Sequence, residues 1–94
     1  MERISLNRLK NKIDFLNHLT KNPKESYTLE DNELIRHSGN YHLCGAYGGW
    51  ELDQMCKSGG TRSVFNTGHI PKRELYNLIC AYVQGIIRTQ DNEL

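Results

Sequence analysis

The stretch YHLCGAYGGWELDQMC, residues 41–56, decides how this chain folds. It holds two cysteines, a histidine, three glycines and three aromatic residues, a mixture that fits a ligand cradle, a metal site or a plain β-hairpin. The hairpin accounts for most of it. Adjacent glycines favour a type I′ turn, whose two central residues both need positive φ. A reversal at Gly48-Gly49 sets Tyr47 opposite Trp50, Gly45 opposite Leu52, Leu43 opposite Gln54 and Tyr41 opposite Cys56. Side chains alternate across a strand, so these eight share one face, which is apolar and aromatic. His42, Cys44, Ala46, Glu51, Asp53 and Met55 fall on the other, more polar face.

Helices flank the hairpin. Upstream, Leu6, Leu9, Ile13, Leu16 and Leu19 recur at spacings of three and four, the stripe of an amphipathic helix that Phe15 widens. Ser5 is its expected N-cap, and Pro23 ends it. Downstream, Leu75, Leu78, Ile79, Tyr82, Val83 and Ile86 repeat at helical spacing behind Pro71, which suits a first helical position. Gly85 weakens the last turn, and a polar tail is expected from about residue 89. Between the hairpin and this helix, TRSVF (residues 61–65) reads as a third strand. Residues 25–40 are ambiguous: a short strand is expected near Tyr27–Leu29, EDN and HSGN read as turns, and Glu33–His37 fits either a strand or a helical turn. The expectation is one α+β domain: an N-terminal helix, a three-stranded antiparallel β-meander, and a C-terminal helix, both helices on the aromatic sheet face.

Bulk properties bound the function. Ninety-four residues hold one core. No apolar run approaches the roughly 20 residues of a membrane span. Charge near the start argues against an export signal. Three cysteines without a C-x-x-C pair point to reduced thiols, so a cytoplasmic location is expected. Net charge is +1 but unevenly spread. Residues 1–24 carry four more basic than acidic groups, and residues 25–56 carry five more acidic than basic.

Few patterns carry chemistry. His42, Cys44 and Asp53 share a sheet face with Glu51, yet zinc sites favour paired Cys/His motifs at short fixed spacing, so no metal or other cofactor is expected. Gly59-Gly60 before Arg62 resembles an anion nest but matches no phosphate-binding motif. The cysteines and histidines form no assembled dyad with an oxyanion donor, and an enzyme is not expected.

The segments AYGGW (residues 46–50) and GHIPKRELYNLICAYVQGI (residues 68–86) together resemble small uncharacterised proteins of bacterial phages and mobile elements. The likeness spans roughly residues 41–87. It implies a prokaryotic, cytoplasmic accessory protein and carries no site residues with it.

The leading expectation is a non-enzymatic accessory or regulatory protein that binds another protein or itself. Its contact residues would be His42, Glu51, Asp53, Arg62 and His69. The alternative is a nucleic-acid binder using Arg8, Lys10 and Lys12 of the first helix with Arg62. No membrane partner is expected.

Overall fold

The computed structural model describes residues 4–92. Its elements run α1 (Leu6–Leu19), β1 (Tyr27–Glu30), β2 (Glu33–Arg36), β3 (Tyr41–Ala46), β4 (Gly49–Met55), β5 (Thr61–Ser63) and α2 (Lys72–Asn92). The fold is α+β, as the periodicities predict. Strands β3, β4 and β5 form an antiparallel meander with β4 central, while β1 and β2 form a separate two-stranded sheet.

Helix α1 begins where Ser5 accepts a hydrogen bond from the Arg8 N–H, the expected cap. Helix α2 begins behind Pro71, whose carbonyl accepts from the Leu75 N–H. Pro71 thus stands one place ahead of the first helical residue. Helix α1 packs on β3, α2 packs on β4, and the helices pack on each other. Leu9, Ile13 and Leu16 of α1 meet Leu75, Ile79 and Val83 of α2 over Tyr41 and Leu52 of the sheet. All eight are buried. Tyr41 and Tyr82 join this core edge-to-face, and their hydroxyls lie 2.9 Å apart.

A buried asparagine fastens α1 to the outer edge of β3. The Asn17 amide donates to the Tyr41 carbonyl at 2.9 Å, and its oxygen accepts from the Tyr41 N–H at 2.8 Å. The side chain thereby satisfies one residue of an edge strand as a neighbouring strand would.

The turn of the β3–β4 hairpin lies one residue earlier than the glycine pair predicts. Tyr47 (φ 52°) and Gly48 (φ 74°) occupy it, and Gly49 is the first residue of β4. Ala46 then opposes Gly49, Gly45 opposes Trp50, Leu43 opposes Leu52 and Tyr41 opposes Gln54. The cause lies across β4. Trp50 and Ile70 exchange two backbone hydrogen bonds, of 2.8 and 2.9 Å, and bring the chain hard against residue 49. A Cβ there would lie 2.8 Å from the His69 carbonyl carbon. The glycine is needed in the strand, so Tyr47 takes the left-handed position at a cost of about 1–2 kcal/mol. Tyr47 is 97% exposed rather than beneath the helices. The two faces of the hairpin are otherwise unchanged, because the shift preserves the alternation. Gly45 now lies directly under the Trp50 indole, where a Cβ would meet the ring at 2.6 Å.

The strand expected near Tyr27–Leu29 is present as β1, and two segments extend further than the sequence indicates, with residues 93 and 94 outside the described residues. Residues 27–36 form a complete hairpin, β1–β2, turned by Asp31 (φ 49°) and Asn32 (φ 66°). The polar segment expected as a tail from residue 89 is helical as far as Asn92. Gly85 interrupts nothing, since the Thr89 hydroxyl bonds the Gly85 carbonyl and the Gln90 amide reaches the Leu19 carbonyl.

Candidate functional site

Two regions of the molecule carry features that the core does not require. The first is the sheet face away from the helices. There His42 opposes Asp53 and Cys44 opposes Glu51 across the β3–β4 ladder. A turn at Gly48-Gly49 would have set Asp53 opposite Cys44; here Asp53 faces His42, and both Asp53 and Cys44 remain on this face. His69 approaches from the segment bridged to Trp50, and its ring meets the Tyr47 ring edge-on at 5.8 Å. The structure thus gathers His42, Glu51, Asp53 and His69, four of the five expected contact residues, and adds Cys44.

Burial controls the chemistry of this cluster. Asp53 is only 7% exposed. Burial, reinforced by the Glu51 carboxyl beside it, pushes its carboxyl up to about 6, while the Cys44 thiol and His69 draw it partly back. Burial also pushes the Cys44 thiol up, with Asp53 and Glu51 adding to the effect. A thiol so placed stays protonated and is a poor nucleophile. Burial pulls the His42 imidazole below its ordinary value. Asp53 Oδ1, His42 Nδ1 and His69 Nε2 are buried without a hydrogen-bond partner. Even so, among the described residues no three His, Cys, Asp or Glu side chains are positioned to hold a metal ion.

Arg62, the fifth expected residue, lies apart. It pairs with Gln54 in the β4–β5 ladder, and its guanidinium donates to the Gln54 side chain. Gln54 opposes Tyr41, so Arg62 belongs to the helix-bearing side. Arg8 and Lys12, from the alternative set, meet the start of α2 instead. The Arg8 guanidinium lies 5.1 Å from the centre of the Tyr76 ring, and the Lys12 ammonium lies near both Phe15 and Tyr76. These residues line a groove of about 220 Å³ with Asn11. Lys10 is exposed outside the groove lining.

The second region was half legible in the sequence, which placed its first strand near Tyr27–Leu29 and its turn at EDN but named none of its residues as a contact surface. Among the described residues, the backbones of β1 and β2 approach no element other than each other, and the Arg36 side chain at the hairpin's root reaches the Met55 sulfur of β4. The hairpin stands off the body as an arm. Leu29 opposes Leu34, and the register places Tyr27 on the same face. Leu29 and Leu34 are 69% and 68% exposed. Around the turn, Glu30 opposes Glu33 next to Asp31, which crowds three carboxylates at the tip. Like charges directly opposed on a sheet repel. The signal was present in the alternation of Tyr27, Leu29, Leu34 and Arg36 about Asp31-Asn32, two residue types that tolerate positive φ.

The root of the arm is firmly held. The Arg36 guanidinium donates to the carbonyls of Cys56 and Gly60. Asn40, fully buried, accepts from the Ser26 hydroxyl and donates to the Pro23 carbonyl at 2.7 Å. Its own carbonyl accepts from the Met55 N–H. A larger apolar depression, about 520 Å³, runs along α2 between Tyr82, Ile86 and Gln90, opened by the missing side chain of Gly85.

Compared with protein-family models, curated proteins and solved structures, the chain matches none. Among the described residues no helix is long and apolar enough to cross a membrane.

Proposed function

We propose that this chain is a non-enzymatic accessory protein that acts by binding another protein through the β1–β2 arm. The observation that carries this reading is the Leu29–Leu34 pair, two-thirds exposed near the tip of a hairpin whose link to the body is the Arg36 side chain at its root. A two-stranded hairpin without a covering layer gains little stability from its own contacts. Apolar side chains held out in this way serve a surface that covers them. The acidic tip selects a partner with basic groups beside an apolar groove. The protonated Cys44 thiol favours a binding role over nucleophilic chemistry, and the resemblance to proteins of phages and mobile elements accords with an accessory role.

A photo-crosslinking residue at position 29 or 34, in the cell that naturally makes the protein, tests the reading. Discrete crosslinked proteins are expected from both positions and not from position 84, which is exposed on α2. Equal crosslinking from position 84, or none from the arm, overturns it.

A second reading rests on the groove of Lys12, Phe15 and Tyr76. Positive charge beside aromatic rings is the usual surface for single-stranded nucleic acid. Salt-sensitive retention of an oligonucleotide, weakened at least tenfold by Lys12→Glu, is its expected signature. Unchanged oligonucleotide mobility at low salt disposes of it.

A further inference from the structure

We propose that the surface receiving the arm is the α1 groove of a second copy of this chain, so that copies associate head to tail. The inference rests on the arm reading and names its partner. Three observations converge on it. The arm offers two exposed leucines and three carboxylates, Glu30, Asp31 and Glu33. The groove offers what they lack: Phe15, 43% exposed, and Tyr76 as apolar walls, with the Lys12 ammonium above both rings. The two regions make no contact with each other within one chain, so the match is available only between chains.

Charge also decides against the simplest alternative. Two arms meeting by their leucine faces would cover the apolar pair yet leave both acidic tips, with Glu30 and Glu33 on the opposite face, without a basic partner. An arm in a groove instead pairs the chain's acidic segment with its basic one. The contact is heterologous, because each copy uses one surface to give and another to receive. Growth therefore does not stop at two copies unless a ring closes. A single hairpin buries a small area, which places the contact among weak, transient interfaces.

Sedimentation of the intact protein tests this at roughly 0.1–1 mM, where a small interface is occupied. The wild type is expected to exceed the 10.9 kDa monomer progressively with concentration. It should revert toward monomer as salt rises from about 0.1 M to 1 M, which shortens the screening length from about 10 Å to about 3 Å. Leu29→Ser/Leu34→Ser blocks the arm, and Lys12→Glu weakens the groove. Each alone should associate at least tenfold more weakly, with an unchanged circular dichroism spectrum. Mixed together, they should form a one-to-one pair and nothing larger, since each retains the surface the other has lost. A wild type that remains monomeric overturns the second copy as the occupant. So does association that stops at two copies and is not restored by mixing, or association that neither variant weakens. The crosslinked product from position 29 separates this failure from failure of the arm reading. A product of two identical chains supports the second copy, whereas a different protein retires it and leaves the arm as the contact surface.

Discussion

Gly49 and His69 touch through their backbones across β4, with no room for a side chain between them. A Cβ on residue 49 would sit 2.8 Å from the His69 carbonyl carbon and 2.9 Å from its oxygen. Neither atom can rotate away as a side chain would. Gly49→Ala is therefore expected to destabilise the protein by about 1–3 kcal/mol, the range for overpacking against a fixed wall. Urea unfolding measures this, and Gly48→Asn is the control. Position 48 has nothing within 4 Å, and asparagine tolerates its φ of 74°.

Gly45→Ala strikes the same hairpin from its helix-bearing side. The added methyl would meet the Trp50 ring at 2.6 Å, so the indole must leave the position it now holds over residue 45. A shift of tryptophan emission and a loss of about 1–2 kcal/mol are expected from the displaced packing. Unchanged emission would show that the indole does not depend on this vacancy.

Asn17→Ala removes both partners of the Tyr41 backbone. Two buried polar groups lose their hydrogen bonds, at about 1–3 kcal/mol each. The variant should lose about 2–4 kcal/mol in denaturant, within that range for a pair. The amide of Tyr41 should also exchange its hydrogen faster, which distinguishes this loss from a generic packing defect.

Asp53 makes stability depend on pH in a direction unusual for a carboxylate. Its folded value of about 6 exceeds the ordinary 3.8, so the folded protein holds the proton more tightly than the unfolded chain. This contribution is fully present below pH 3.8 and is lost as pH rises through 6. The loss amounts to about 3 kcal/mol. His42, held below 6.5, acts oppositely: its contribution is present above that value and is lost as pH falls. Comparing wild type with Asp53→Asn isolates the carboxyl. The variant's advantage should grow from pH 4 to pH 6 and then level off, as read by thermal unfolding at each pH. An advantage independent of pH would assign the burial of Asp53 no electrostatic cost.

The helices were legible because Leu9, Ile13 and Leu16, and Leu75, Ile79 and Val83, repeat at the period of the structure they form. The meander was legible for the same reason, since alternation separates Tyr41 and Leu52 from His42 and Asp53. Where the hairpin turned was not. Gly48-Gly49 is the better local turn, and only the approach of residues 69 and 70, twenty positions away in the chain, makes Gly49 necessary elsewhere. The candidate cluster survived that error because its members share a parity that the shift preserves. The strand near Tyr27–Leu29 and its turn were legible, but Glu33–His37 fitted strand or helical turn alike, and local pattern carries no record of whether Leu29 and Leu34 are covered.

Asn40 and Arg36 have a consequence for any surface that meets the arm. A loose hairpin would have to give up its motion on binding, and each immobilised residue would subtract from the affinity. Here the loss has already been incurred during folding, through bonds to Pro23, Ser26, Cys56 and Gly60 that involve no partner. The leucines are aimed before they are met. Asn40→Ala should leave the tip's chemistry intact yet lower its affinity for whatever it touches, and faster hydrogen exchange in residues 27–36 would mark the cause.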